Sequence, residues 1–334
     1  MGTIIIAEAG VNHNGDMELA KKLIKIASDA GADYVKFQTF SVDKLVTKIA
    51  PKADYQITTE NFSENQYLML KKLELSEQDH FELARECRSL NIGFLSTGFD
   101  PSNINLLVSL GVKLIKIPSG EISNLPLLRF IGQLAKPVLL STGMSTMDEI
   151  ESALRILEQS GISKQKITVL HCTSAYPTPI KDVNLLALKS IQEKFNVSIG
   201  YSDHTLDTVV PIAAVALGAS VIEKHFTLSR NLDGPDHKAS LEPHELKSMI
   251  QSIRKLEIAL GDGIKRPMPS EIQNISVVRR SIVANRNIGI GEIFTVDNLV
   301  TKRPGNGLSP MVWDRLIGSK ATKNYMQDDF INEP

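Results

Sequence analysis

The sequence predicts an α/β fold, a (β/α)8 TIM barrel with a small β-rich domain appended at its C-terminal end. Three observations predict it. Eight short β-rich segments alternate with helical patterns over about the 250 residues that such a barrel occupies. Polar residues gather at the C-terminal ends of all eight. No G-x-G-x-x-G follows the first strand, which removes the main support for a doubly wound open sheet.

Taken in order, the first strand is IIIAEAG, Ile4 to Gly10. The loop VNHNG leads to a helix in which Leu19, Leu23, Ile26 and Ala30 recur at helical spacing. Further strands are expected at Asp33–Phe40, Ile92–Gly98, Lys113–Gly120, Pro137–Gly143, Ile167–Thr173, Val197–His204 and Ser220–Thr227. Helices are expected at Glu77–Leu90, Ser102–Leu110, Leu125–Leu134, Thr146–Gln159, Asn184–Lys194, Leu206–Leu217 and Pro243–Leu260. One long connection, Ser41 to Ser76, interrupts the rhythm and reads as a lid or rim element. The division is therefore a catalytic barrel at 1–262, a turn-rich linker at 263–279, and a domain of short strands without helical periodicity at 280–334. A domain that small is marginal alone and is expected to pack on a barrel, its own or a partner's.

Composition excludes several classes. The 334 residues are 42% hydrophobic and 22% charged, with a formal charge of -1. A nucleic-acid-coating or membrane-surface protein would show a basic excess, so any anion site must be local. Ile4 to Ala7 is too short for a signal segment, and no later stretch is long enough to span a bilayer. Cys87 and Cys172 are read as reduced thiols in a cytoplasmic protein.

Chemistry in such barrels sits at the C-terminal strand ends. Those ends carry Glu8; Lys36 and Gln38; Ser96 and Thr97; Lys116, Ser119 and Glu121; Ser141 and Thr142; His171, Thr173 and Ser174; Ser202, Asp203 and His204; and Glu223, Lys224 and His225. Lys36 and Lys116 alternate with apolar neighbours and point into the barrel, where each needs a counter-charge. With Thr97, Ser119, Ser141 and Ser202 they form a phosphate or carboxylate cradle. A structural pair between Lys116 and Glu8 or Glu121 is one alternative; a Schiff-base lysine of a class I aldolase is another. His204 and His225 end adjacent strands, about 4.8 Å apart, and are the metal-ligand candidates, with Asp203 and Asp236 as nearby acids. His13 is placed at the mouth, His80 and His244 on helix surfaces, and His237 in a turn.

The motifs IIAEAGVNHNGD, GADYVKFQTF, FLSTGFD, KIPSGEI, LLSTGMST, LHCTSAYPTP, GYSDHT, VIEKHFTL and GPDHKAS lie in this order along the chain, with KRPGNG near its end. The sequence resembles the sialic acid synthase family over essentially its whole length, and its C-terminal stretch resembles an antifreeze-like (SAF) domain. The resemblance implies condensation of phosphoenolpyruvate with the open-chain aldehyde of an N-acylated amino sugar, releasing phosphate. It implies a divalent metal on His204 and His225, Mn2+ first, with Mg2+ or Co2+ as alternatives. Lys36, Thr97, Lys116, Ser119, Ser141 and Ser202 would hold phosphoenolpyruvate; Gln38, Tyr176 and Asp236 would contact the sugar; Glu8 and Glu121 would lie near the reacting carbons. Arg303 would reach the acyl group from the partner in a domain-swapped homodimer. Ser174 departs from the asparagine common at that position in enzymes that make N-acetylneuraminate. N-acetylneuraminate synthesis is the leading expectation, N,N'-diacetyllegionaminate synthesis from 2,4-diacetamido-2,4,6-trideoxymannose the alternative. A non-catalytic sugar-binding protein is the remote one.

Overall fold

The computed structural model describes residues 2–53 and 64–333. Helix termini form where side chains satisfy orphan backbone groups. Asp16 accepts from the amides of Glu18 and Leu19 to start the helix Met17–Ala30, and Gly31 ends it in the left-handed region. Reciprocal capping boxes open Glu77–Ser89 (Ser76 with Asp79) and Met147–Gln159 (Thr146 with Glu149). Between strands, helices also run at Pro101–Ser109, Leu125–Gln133, Ala187–Phe195, Val209–Ala216 and Pro243–Leu260.

The strands are β1 (Ile4–Gly10), β2 (Tyr34–Thr39), β3 (Gly93–Gly98), β4 (Ile115–Ile117), β5 (Val138–Ser141), β6 (Ile167–Cys172), β7 (Ser198–Asp203) and β8 (Val221–His225). They pair in chain order as a closed barrel, with β8 returning in parallel to β1. Because side chains alternate along a strand, each strand feeds two environments. Outward residues such as Ile5, Ala7, Val35, Ile115 and Ile222 join the main core with the helices. Inward residues Ile6, Leu95, Leu114, Leu139, Leu170 and Val221 pack together as an apolar plug. Two residues further along each strand stand Glu8, Thr97, Lys116, Ser141, Cys172 and Glu223. The polar floor of the mouth therefore rests on the plug.

The long connection after β2 contains two short helices, Val42–Leu45 and Gln66–Lys71; the central part of the expected lid, 54–63, lies outside the described residues. Among the described residues, no helix is long and apolar enough to cross a membrane.

The chain divides into two units, 1–261 and 262–334. The second unit pairs β9 (Ser281–Ala284) with β10 (Leu299–Lys302) antiparallel, around a core containing Ile282, Phe294, Leu299, Leu316 and Tyr325. The segment expected to be a turn-rich linker holds the helix Pro269–Val278, with Pro269 in its first turn, and a short helix at Trp313–Leu316 interrupts the strand-like C-terminal region. Turn-forming composition concealed the first of these, and among the described residues none of its side chains is buried.

One histidine departs from expectation. His80 is buried, on the same face of its helix as Leu83, Ala84 and Cys87, and bonds the Ser76 carbonyl through Nδ1. Its spacing from those apolar residues was the overlooked signal. His237 lies in a turn, as expected, and is buried there, bonded to Thr227.

Candidate active site

The barrel mouth encloses a cavity of about 460 Å3. Its lining brings together Glu8, Lys36, Gln38, Thr97, Lys116, Ser119, Ser141, Ser174, Tyr176, Ser202, His204 and His225, twelve of the fifteen residues singled out from the sequence. Glu121 is not among them. Strand β4 stops at Ile117, Pro118 removes a ladder donor, and a 3-10 turn follows at Ser119–Glu121. That turn puts Ser119 into the cavity while the Glu121 carboxylate receives Asn124 Nδ2 at 2.6 Å. Asp236 is buried just beside the lining: a Cβ built on Gly10 would meet Asp236 Oδ2, Glu8 Oε1 and His225 Cε1, each at 3.4 Å. Gly10 sits at φ +54 where β1 shifts register, so glycine serves both the conformation and the close approach. Arg303 lies in the second unit, on the exposed turn after β10.

The two lysines are held by carboxylates and hydroxyls. Lys36 Nζ is 3.0 Å from Glu8 and 3.5 Å from Glu223, and donates to Thr97 Oγ1 at 3.0 Å. Lys116 Nζ is 3.7 Å from Glu223 and donates to Ser141 Oγ at 2.7 Å. Ser202 Oγ donates to Glu223 Oε1 at 3.1 Å. The counter-charge for Lys116 is thus Glu223, not Glu8 or Glu121.

Glu223 received no role from the sequence, yet its signal was present. It stands two residues before His225 on β8, so an inward His225 requires an inward Glu223. Cys172, Gln66, Phe99 and Met144 also line the cavity unforeseen.

The two carboxylates are pushed apart in acidity. Burial drives Glu8 up to about 8, against the pull of Lys36 and with the like charge of Glu223 adding to the rise. Burial acts on Glu223 too, but Lys116 and Lys36, aided by His225 and His204, hold it down at about 2. One proton-bearing acid and one fixed anion in a single cavity is the division that acid–base chemistry uses. Burial lowers Lys116, whereas at Lys36 the attraction of Glu223 and Glu8 overcomes burial and raises it.

His204 and His225 face each other with ring centroids 5.6 Å apart. Burial lowers the pKa of both, and the mutual repulsion of the two rings adds to this at His225, so both are neutral near pH 7. His204 Nδ1 donates to the Thr173 carbonyl at 2.7 Å, which leaves Nε2 with its lone pair free. His225 Nδ1 is buried without a hydrogen-bond partner. Tyr176 lies tilted against His204 with ring centroids 4.2 Å apart and meets His225 edge-on at 5.9 Å. Asp203 points outward and pairs with Lys224. No group of three or more His, Cys, Asp or Glu suited to a metal occurs among the described residues. Two neutral imidazoles, one oriented through a backbone carbonyl and one carrying an orphaned nitrogen, nevertheless fit a borderline divalent ion whose other positions go to water and substrate oxygens.

Gly143 closes the floor of the cradle. Its amide donates to Ser119 Oγ at 2.9 Å, and a Cβ there would lie 2.2 Å from Ser174 Oγ and 2.9 Å from Ser119 Oγ. Gly143→Ala is expected to displace both hydroxyls and raise the KM for an anionic substrate by about tenfold, the loss of one charge-assisted hydrogen bond. Steady-state kinetics with varied anion concentration checks this.

Comparison with known proteins agrees with the geometry. Residues 23–265 match the NeuB family and residues 279–329 match the SAF domain. An N,N'-diacetyllegionaminic acid synthase of Campylobacter jejuni is 54% identical over 99% of both chains. Its namesake in Legionella pneumophila is 47% identical over 97% of this chain and 92% of its own. The crystal structure of an N-acetylneuraminic acid synthetase from Leptospira borgpetersenii superposes with a TM-score of 0.72 at 36% identity, covering 82% of this chain and 90% of that one. The chain belongs to the NeuB family of sialic acid synthases, as its motifs indicated, and carries that family's barrel with a C-terminal SAF domain.

Proposed function

We propose that this enzyme is an N,N'-diacetyllegionaminic acid synthase, condensing phosphoenolpyruvate with 2,4-diacetamido-2,4,6-trideoxymannose and water and releasing phosphate. The observation that carries the chemistry is the two-lysine, four-hydroxyl cradle facing a pair of neutral imidazoles in one cavity. The choice of sugar rests on the legionaminic acid synthases at 54% and 47% identity, against 36% for the neuraminic acid synthetase. That ordering favours the legionaminate alternative over N-acetylneuraminate, the leading expectation from the motifs.

Lys36 and Lys116, with Thr97, Ser119, Ser141 and Ser202, bind the phosphate and fix the enol carbon against the sugar aldehyde. Bound to His204 and His225, a divalent ion such as Mn2+ would supply Lewis-acid polarisation of the aldehyde oxygen. Gln38, Tyr176 and Asp236 orient the sugar. As the new carbon–carbon bond forms, positive character develops at the former enol carbon, and the ionised Glu223 stabilises it. Glu8, holding its proton near neutral pH, is the acid for the nascent hydroxyl. Water adds to the cationic carbon and gives one proton back to the Glu8 carboxylate. As the carbon–oxygen bond to the phosphate breaks, the remaining hydroxyl proton leaves with the phosphate, which departs into the lysine cradle and leaves the keto group. In this reading the lysines bind phosphate rather than form Schiff bases. Dimerisation with exchanged SAF domains, which would bring Arg303 to the neighbouring acyl site, belongs to the same reading and rests on the family likeness. A cytoplasmic setting does too, supported by the free, buried thiols of Cys87 and Cys172.

The test is phosphate release with each sugar in turn. The expected result is a kcat/KM at least about tenfold higher for the diacetamido sugar than for N-acetylmannosamine. Preference for N-acetylmannosamine would return the assignment to a neuraminate synthase.

A further inference from the structure

Behind the imidazole pair lies a second charged cluster that the proposed chemistry does not use. Asp203 and Lys224 are register partners on β7 and β8. Alternation turns His204 inward and Asp203 outward, and likewise His225 and Glu223 inward and Lys224 outward. Both outward side chains are wholly buried, at 0% side-chain exposure, and Lys224 Nζ sits 2.5 Å from Asp203 Oδ2. Lys224 also donates to the Thr205 carbonyl and, at 3.1 Å, to the Asp207 carbonyl, so its three protons have three acceptors. Asp203 is equally occupied: Oδ1 accepts from the Thr205 amide at 3.0 Å, and Oδ2 from Thr205 Oγ1 at 3.0 Å. The network is closed.

A buried ion pair is weak evidence for stability, since apolar residues of similar volume often serve as well. Its attachments point instead to geometry. Lys224 stands between Glu223 and His225 on β8, and it grips the turn at Thr205–Asp207 that directly follows His204. On the other side, Thr178 donates to the His204 carbonyl at 2.9 Å and Thr173 receives its Nδ1. His204 is therefore held through its ring and its carbonyl by the segment that follows β6, and the turn that follows it is held from β8 by Lys224.

We propose that Lys224, with Asp203 and Thr205, is a positioning residue that sets the separation of the two imidazoles and so the affinity of their divalent ion. The inference rests on the reading of His204 and His225 as the metal ligands. Nothing in the cluster touches the cavity, so its effect must travel through those two side chains.

Calorimetric titration of metal-free protein with Mn2+, alongside titration with phosphoenolpyruvate in the absence of metal, tests it. For Lys224→Met the Mn2+ dissociation constant is expected to rise about 10- to 100-fold, as for other groups that orient a ligand, while phosphoenolpyruvate affinity moves less than about twofold. Lys224→Arg, which retains the charge and several donors, should restore most of the metal affinity. Thr205→Val leaves the ion pair intact and removes only a hydroxyl; it provides a folded variant should Lys224→Met not fold, with a smaller loss of metal affinity in the same direction. A lowered melting temperature with unchanged Mn2+ affinity in either variant would overturn the proposal and leave a structural role. Failure of the wild-type chain to bind Mn2+ would instead overturn the ligand reading beneath it.

Discussion

Substitution of alanine for His204 is expected to lower turnover by roughly three orders of magnitude or more, the several kcal/mol that Lewis-acid assistance contributes. The barrel should stay folded. His204 stands on the cavity side, whereas Ile199 and Tyr201 of the same strand pack into the apolar core and Asp203 closes its own buried network. The substitution removes the ring that Thr173 orients and Tyr176 covers, so Mn2+ affinity should fall together with activity. Circular dichroism, Mn2+ titration and phosphate release on one preparation check all three. Substantial turnover by the metal-stripped variant would remove the imidazole pair from the mechanism.

Glu223→Gln should have the next largest effect, and it should separate kcat from KM. The change keeps the shape and removes the one anion shared by Lys36 and Lys116. In the proposed reading phosphoenolpyruvate would bring its own negative charge to those lysines, so its KM should move by less than about threefold, while kcat falls by about 10^2–10^3 as stabilisation of the cationic carbon is lost. Stability should fall by roughly 3 kcal/mol, the lower end for one partner lost from a buried pair. The penalty stays at that end because Glu8, freed from the like charge of Glu223, ionises more readily and takes over beside Lys36. Initial-rate kinetics and thermal melts with and without phosphoenolpyruvate measure both quantities; the substrate should recover part of the lost stability. An unchanged kcat would make Glu223 a structural counter-ion alone.

Much of the site was legible because alternation along a strand is local. A strand that reads Leu139-Leu140-Ser141 or Val221-Ile222-Glu223 fixes which residues share a face before any neighbour is known, and strand ends in a parallel barrel gather at one rim. That logic reached Lys36, Thr97, Lys116, Ser141, Ser202, His204 and His225, all of which line the cavity. It failed where the chain left the strand. Local alternation places Ser119 and Glu121 at the end of a strand, but Pro118 breaks it and the turn sends the serine in and the glutamate toward Asn124. His80 differs for another reason: a polar side chain suggests the surface, but its place on the stripe of Leu83, Ala84 and Cys87 buries it.

The sequence by itself determined the alternating elements, the barrel, the family and the residues offered at the rim, because side-chain periodicity and motif order belong to one chain read locally. Only the tertiary structure decided which carboxylate neutralises which lysine, and that burial pushes Glu8 up while the two lysines hold Glu223 down. It alone showed Lys224 and Asp203 closed off behind the imidazoles. Those outcomes depend on inter-strand register and on burial, which bring together groups from β1, β2, β4, β7 and β8 far apart in sequence, and electrostatic energies follow distance and desolvation rather than position along the chain.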